Sequence, residues 1–217
     1  MDTKKKELIG RYSRGNDALY GKTAERTNDH DFKKKGIPLA VPHGIYDEQH
    51  LHGQIMIGIS HDTSEFSCAC IRNWWLKIGC ILYPLAIRLL ILCDGGGSNS
   101  SRHYIFKDDL QKLAIEIGLD ITIAHYPPHC SKWNPIEHRL FPHVSSALRR
   151  GGTIKSVEHM AEKVSRTKTK TGISVSVFID KNEYKTGRKY SEGFKVNNKI
   201  VFDEYLPKWN YTAKANP

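Results

Sequence analysis

Residues 88–99 read Arg-Leu-Leu-Ile-Leu-Cys-Asp-Gly-Gly-Gly-Ser-Asn, an unbroken apolar run followed by one aspartate and three glycines. A continuous apolar run of this length is typical of a strand that is buried on both faces of a sheet. Active sites of open α/β sheets lie beyond the carboxyl ends of such strands, and Asp94 stands at such an end. The glycines leave the main chain bare, so that a polyanion can approach it closely. The stretch therefore predicts an α/β fold with a functional site at Asp94.

Apolar runs and helical periodicities on both sides of this strand extend the prediction. A phosphate-binding loop is an alternative for residues 94–99, but the lysine and hydroxyl of a P-loop are absent, and a G-x-G-x-x-G motif from Gly95 would need glycine at Ser100. We therefore favour Asp94 as a metal ligand in a mixed sheet with helices on both faces. The predicted elements are strands over Ala40–Asp47 and Gln54–Ser60, a helix capped by Asp62 or Thr63, the strand Arg88–Cys93, a helix ending at Gly118, the strand Asp120–His125, a helix from Pro135 towards Arg150, a helix over about 156–167, and a hairpin with an extended arm over Ile173–Tyr211.

Charge is unevenly distributed along the chain. The 217 residues carry 33 Lys and Arg against 23 Asp and Glu, a formal net charge of +10. Residues 1–35 contain ten basic against six acidic side chains, residues 36–145 eight against ten, and residues 146–217 fifteen against seven. A slightly acidic centre between basic flanks suits a protein that binds a phosphate backbone and keeps carboxylates for a metal ion. A basic protein with solvated charged faces fits the same pattern.

Hydrophobic segments and cysteines exclude several classes of protein. The most apolar region, Ile78–Cys93, is interrupted by Pro84 and Arg88, and no run reaches the roughly 18–20 residues of a membrane span. No apolar region follows the N-terminal Met-Asp-Thr-Lys-Lys-Lys, so a signal peptide is not expected. The odd number of cysteines, five, then predicts reduced thiols in the cytoplasm, without a zinc site. Membrane and secreted proteins are excluded on these grounds.

Five blocks of the sequence resemble a known family, the DDE-type insertion-sequence transposases of the ISAzo13 group. The blocks occur in family order and extend over most of the chain up to about residue 190. One block alone is weak support, whereas five in order make the resemblance specific. They are DTKKKELIG at 2–10, VPHGIYD at 41–47, HDTSEF at 61–66, DGGGSN at 94–99 and SKWNPIEHRLF at 131–141.

The resemblance implies a ribonuclease H-like fold, which is a mixed sheet flanked by helices, here with a small C-terminal β-rich extension. It also implies a triad of two aspartates and a glutamate, which by position are Asp2, Asp94 and Glu137. These carboxylates would bind Mg²⁺, or Mn²⁺ as a substitute, because such ions prefer hard oxygen ligands. In the family's reaction, water attacks at the end of the element to free a 3′-hydroxyl, which then attacks target DNA. Without the resemblance, a lone helical Glu137 is usually a solvated surface residue.

Double-stranded DNA, as transposon ends and as target, is the partner that the resemblance and the basic flanks predict. A homo-oligomer on the DNA and a location in the bacterial cytoplasm at the nucleoid, away from membranes, accompany this prediction. Cationic side chains would contact phosphates, and polar residues beside Glu137 would position the DNA without reading its sequence. The candidate DNA-binding residues are Lys4, Lys5, Lys6, Lys132, Trp133, Asn134, Arg149, Arg150, Lys168 and Lys170.

The resemblance is interrupted at the N-terminus. In such transposases a DNA-binding helix-turn-helix region precedes the catalytic domain. Here only Met1 precedes Asp2. We expect a truncated catalytic domain in which the first strand is incomplete and Asp2 lies on a frayed terminus. The expected divisions are residues 1–35 as truncated first strand and basic connection, 36–170 as catalytic core, and 171–217 as C-terminal hairpin and basic tail.

Two functions of different classes stay open on the sequence. One is metal-dependent cleavage and transfer of DNA strands, impaired by loss of the N-terminal part. The other is a non-catalytic basic remnant of a broken insertion element that binds DNA. A ribonuclease H-like nuclease acting on RNA is a third function compatible with the fold, because a fold alone does not determine function.

Overall fold

A computed structural model describes residues 1–13, 27–28, 36–96, 100, 102–127, 130–150 and 152–215. Gly97, Ser98 and Asn99 of the glycine-rich stretch lie outside the described residues. In chain order the elements are β1 (Asp2–Thr3), β2 (Glu7–Leu8), β3 (Leu39–Asp47), β4 (His52–Gly58), α1 (Ser64–Trp74), a π-helical turn (Trp75–Gly79), α2 (Cys80–Leu82), β5 (Arg88–Cys93), α3 (Tyr104–Ile117), β6 (Asp120–His125), a 3₁₀ turn (Ser131–Trp133), α4 (Pro135–Arg139), α5 (Phe141–Arg149), α6 (Val157–Ser165), β7 (Ser174–Asp180), α7 (Phe194–Asn197), β8 (Ile200–Phe202) and β9 (Asn210–Ala213).

The chain divides into two compact units, each with its own sheet. Unit 1 comprises Met1–Asp2, His61–Asn134 and Tyr184–Pro217, and unit 2 comprises Thr3–Ser60 and Pro135–Glu183. Mixed sheets and helices in both units confirm the predicted α/β class. No helix in the described part of the chain is long and apolar enough to cross a membrane.

Unit 1 contains a four-stranded sheet in the order β5-β6-β9-β8. Strands β5 and β6 are parallel, while β9 pairs antiparallel with β6 and with β8. Helix α1 begins as predicted, because Thr63 Oγ1 accepts a hydrogen bond from the main-chain nitrogen of Phe66 at 3.2 Å. Helix α3 ends at Gly118, which adopts a left-handed conformation with φ of 70°.

Strand β5 lies where the sequence predicts it, but the prediction that both of its faces are buried was wrong. Ile91 and Cys93 are buried, whereas Leu90 and Leu92 are exposed. Strand β5 stands at one end of the strand order of unit 1, and helix α3 packs on the sheet at β6 and β9. An edge strand is covered less completely than a central one, so its apolar run did not indicate two-sided burial.

Unit 2 contains a five-stranded sheet in the order β1-β3-β4-β7, in which β2 also pairs with β3. Strands β3 and β4 form the predicted antiparallel hairpin. Helices α4, α5 and α6 bury Ile136, Val144 and Met160 against the sheet residues Ile55 and Ile57. The single helix predicted from Pro135 to Arg150 is two helices that meet at Leu140. Pro142 in the first turn of α5 has no N–H to continue the hydrogen bonds of α4, which explains the break.

The strands after residue 171 are divided between the two sheets, with β7 in the sheet of unit 2 and β8 and β9 in that of unit 1. Strand β7 pairs parallel with β4 along its whole length, from His52 opposite Ser174 to Gly58 opposite Asp180. Strands β8 and β9 form an antiparallel hairpin in unit 1. The pairing of β7 differs from the hairpin expected over Ile173–Tyr211, because a parallel partner requires a crossover connection that no local turn signal reveals.

Candidate active site

Asp94 directly follows β5, and its carboxylate is only lightly engaged. Its Oδ1 accepts a long hydrogen bond from the main-chain nitrogen of Gly96, at 3.4 Å. Among the described residues this carboxylate has no ion pair, and the side chain is partly buried. Lone pairs of both oxygens therefore stay available to a ligand at the carboxyl end of the parallel pair β5–β6.

A buried histidine holds the main chain of Asp94. His125 Nδ1 lies 3.0 Å from the carbonyl oxygen of Asp94, and His125 Nε2 lies 3.1 Å from Tyr211 Oη. A carbonyl oxygen only accepts hydrogen bonds, so Nδ1 carries the proton and Nε2 accepts from the tyrosine hydroxyl. Burial lowers the pKa of His125 and raises that of Tyr211, which keeps both rings neutral. Neither residue is among the site residues predicted from the sequence.

His125 could have been predicted from the sequence as a neighbour of Asp94, whereas Tyr211 could not. Cys93 of β5 stands opposite His125 of β6, so both strands end at the same edge of the sheet. A polar residue that closes the second strand was therefore a candidate neighbour of Asp94 from the sequence alone. Tyr211 reaches the same place from β9, near the other end of the chain.

Asp2 is well ordered by its contacts, which corrects the expectation of a frayed terminus. Its side chain is buried, with 8% exposed, and Asn134 Nδ2 donates to Asp2 Oδ2 at 3.3 Å. The terminal amine of Met1 donates to the carbonyl oxygen of Leu92 at 2.7 Å. Asp2 follows Met1 by one residue and Asp94 follows Leu92 by two. The hydrogen bond between Met1 and Leu92 therefore joins the two segments of unit 1 that carry the aspartates. Asn134, which the sequence predicts to position DNA, is 1% exposed.

Glu137 belongs to unit 2, on the short helix α4. This helix is positioned by close packing between two of the sequence blocks, because a Cβ at Gly44 would lie 2.6 Å from the Phe141 ring and 2.8 Å from Ile136. A Cβ at Gly53 would lie 2.6 Å from Leu140 in the same way. Within the described part of the chain, the half-buried carboxylate of Glu137 has neither a hydrogen bond nor an ion pair.

The described residues contain no group of three or more His, Cys, Asp or Glu side chains that could hold a metal ion. The two aspartates of unit 1 nevertheless suit a hard divalent cation by their chemistry. Among the described residues, one long hydrogen bond occupies the carboxylate oxygens of Asp94, and the Asn134 amide orients Asp2 as outer partners orient metal ligands.

Most of the predicted phosphate contacts are exposed cations. Lys5, Lys6, Arg149, Arg150, Lys168 and Lys170 are exposed in unit 2. Lys4 differs from these, because its ammonium pairs with Glu7 Oε1 at 2.7 Å. In unit 1, Trp133 is exposed, and the Lys132 ammonium lies 5.2 Å from the centre of its ring.

Comparison with known proteins identifies the family. The family described as the Rhodopirellula transposase DDE domain matches residues 1–215. The chain belongs to this family. The resemblance to ISAzo13-type DDE transposases is thereby confirmed, and membership in a transposase DDE-domain family implies transposase function on DNA with divalent metal ions.

Neither a curated protein nor a solved structure matches the transposase domain in the corresponding searches.

Proposed function

We propose that this transposase domain cleaves and transfers DNA strands with Asp2, Asp94 and Glu137 as its catalytic carboxylates, on a ribonuclease H-like architecture. The observation that carries the proposal is the lightly engaged carboxylate of Asp94 at the carboxyl end of β5, in a chain that matches the family from residue 1 to 215. The assignment of Asp2 and Glu137 rests on the family blocks that contain them.

The residues of the chain divide the work. A divalent cation, Mg²⁺ or Mn²⁺, supplies when bound the electrophilic assistance for displacement at phosphorus. The carboxylates supply oxygen ligands, the Asn134 amide orients Asp2, and His125 holds the main chain of Asp94. The exposed cations of unit 2 bind the phosphates of double-stranded DNA and carry no sequence information. The proposal also includes assembly of several copies of the chain on the DNA. It places this reaction in the bacterial cytoplasm at the nucleoid.

Nicking of supercoiled plasmid in Mg²⁺ or Mn²⁺ tests the proposal. We expect nicking by the parent chain and its loss in Asp94→Asn and Glu137→Gln, because each change removes a charged oxygen ligand but little volume. Glu162→Gln is the matched control, since Glu162 is exposed on α6 and pairs with Arg166 at 2.5 Å. Retention of nicking in Asp94→Asn contradicts the proposal.

A DNA-binding protein without catalysis is the second candidate function, and the exposed cations favour it as much as they favour the first. It predicts plasmid retention in gel-shift assays with no nicking by the parent chain. In both functions, affinity for DNA falls by orders of magnitude between about 50 and 200 mM salt, because phosphate contacts release counterions. Binding that is insensitive to salt contradicts both.

A further inference from the structure

Two tyrosine rings form a half-exposed aromatic surface in unit 1. Tyr104 begins α3 and Tyr190 lies in the segment before α7, and their ring centres are 5.8 Å apart at an interplanar angle of 52°. Tyr104 is 43% exposed and Tyr190 37% exposed. Phe194, which is buried, lies 6.3 Å from the Tyr190 ring and supports it from below.

A lysine ammonium accompanies both rings. Lys195 Nζ lies 4.9 Å from the centre of the Tyr104 ring and 5.6 Å from that of Tyr190. Residues 185–199 contain five Lys and Arg against one acidic residue, Glu192. Arg188 pairs with Glu65 and Asp109, but Lys195 has no ion pair with a described carboxylate. The surface therefore combines aromatic faces with an excess of positive charge.

Buried carboxylates of α3 anchor the segment that carries Tyr190. Asp108 Oδ2 accepts hydrogen bonds from the main-chain nitrogen of Ser191 at 2.6 Å and from its hydroxyl at 2.7 Å. Asp109, which also accepts from Ser64 at 2.6 Å, pairs with Arg188. Because these contacts lie on both sides of Tyr190 in the sequence, the ring is held against α3 in a defined place.

We propose that Tyr104, Tyr190 and Lys195, the tyrosine–lysine surface, bind unpaired nucleotides of single-stranded DNA. Aromatic side chains stack on bases, and a neighbouring ammonium contacts the phosphate backbone. Paired bases inside a duplex stay stacked on one another and present no free face to a protein ring, so the surface selects unpaired nucleotides. The proposal deepens the proposed transposase function and rests on DNA as its substrate.

Fluorescence anisotropy tests the tyrosine–lysine surface without any divalent metal. The full chain is titrated in EDTA against labelled oligothymidylate of about 15 nucleotides, which spans one single-strand site, and against a duplex of equal length. We expect Tyr104→Ala and Tyr190→Ala each to weaken binding of the single strand roughly tenfold and to leave duplex binding unchanged. Tyr205→Ala is the matched control, since Tyr205 is 86% exposed and has no ring contact with a described residue.

Conservative variants separate stacking from loss of folding. Tyr104→Phe and Tyr190→Phe keep the rings and should bind like the parent, while Lys195→Gln should lower the slope of log affinity against log salt by about 0.7, as for one lost phosphate contact. Alanine variants that bind the single strand as tightly as the parent overturn the proposal. So do phenylalanine variants as weak as the alanine variants, an equal loss of duplex binding, or tighter binding of oligouridylate than of oligothymidylate.

Failure of this proposal is distinguishable from failure of the proposed function. Asp94→Asn should abolish nicking and leave binding of oligothymidylate intact. A parent chain that binds the single strand through its tyrosines but never nicks plasmid supports the tyrosine–lysine surface and contradicts catalysis. A parent chain that nicks plasmid, but whose binding of the single strand does not change in the tyrosine variants, supports catalysis and contradicts the tyrosine–lysine surface.

Discussion

The imidazole Nδ1 of His125 lies 3.0 Å from the main-chain oxygen of Asp94, in the protein interior below the candidate metal ligand. Thirty-one positions separate the two residues, and the parallel register of β5 and β6 brings them together. The hydrogen bond fixes the tautomer of His125, and Tyr211 completes it from β9. The main chain of Asp94 is thus held by neutral groups, and these groups do not compete for its carboxylate oxygens.

Replacing His125 should weaken binding of Mn²⁺ to the domain. His125→Leu removes the donor to Asp94 and should lower the affinity by a factor on the order of 10, as loss of a partner behind a metal ligand commonly does. His125→Asn keeps a donor near the position of Nδ1 and should restore most of the affinity. Titration calorimetry with Mn²⁺ measures each change.

Thr122→Val is the control for the His125 variants. Thr122 Oγ1 and Thr212 Oγ1 are 2.8 Å apart and join the same two strands, β6 and β9, that carry His125 and Tyr211. If this variant weakens Mn²⁺ binding as much as His125→Leu does, the effect is general loosening of the sheet rather than placement of Asp94.

Gly44→Ala should destabilise unit 2, because the added Cβ meets the Phe141 ring and Ile136 at distances below 3 Å. Overpacking of this kind costs about 1–3 kcal/mol. Urea unfolding of Gly44→Ala, Phe141→Leu and the double variant measures the coupling. We expect the double variant to lose less stability than the two single losses together, because the smaller side chain gives the new methyl group room. Strict additivity would contradict the contact.

Acid should destabilise the chain through His43, which is fully buried on β3 and lies 2.8 Å from the hydroxyl of Thr3. Burial lowers the pKa of His43 to about 3, from an ordinary value of 6.5. Between these two values the unfolded chain binds more protons than the folded one, so stability falls as the pH falls from 6.5 towards 3. Urea unfolding should show the parent's stability relative to His43→Gln declining by roughly 2 kcal/mol between pH 7 and pH 5. A difference that does not change with pH would show that His43 takes up its proton as readily in the folded chain as in the unfolded chain.

Lys163 should be essential to the end of helix α5, since its buried ammonium donates to three main-chain oxygens. These belong to Leu148 at 3.2 Å, Arg150 at 2.7 Å and Gly152 at 3.2 Å. Lys163→Met keeps the length of the side chain but leaves the carbonyl groups without their donor, at a cost of about 2 kcal/mol or more. Thermal unfolding compares it with Lys155→Met, since Lys155 is exposed and lies just before α6, the helix that carries Lys163. Equal melting temperatures of the two variants would contradict this role.

Much of the local structure was predictable because its causes act over a few residues. The Thr63 cap, the stop at Gly118 and the β3–β4 hairpin follow from side chains next to the elements they define. The break at Leu140 was equally local, since Pro142 is visible in the sequence, but the apolar periodicity outweighed it in the prediction. Burial of β5 was not predictable, because its apolar run does not reveal which strands and helices cover it.

The sequence by itself determined the α/β class, most of the elements and, through five ordered blocks, the transposase family and its candidate carboxylates Asp94 and Glu137. Only the tertiary structure decided that Asn134 turns inward to Asp2, that β7 pairs parallel with β4, and that His125 and Tyr211 lie behind Asp94. Periodicity, capping and turn chemistry depend on neighbours in the chain and can be read locally. The surroundings of a catalytic carboxylate depend on the register between strands that are distant in sequence, and that register is set by packing of the whole sheet.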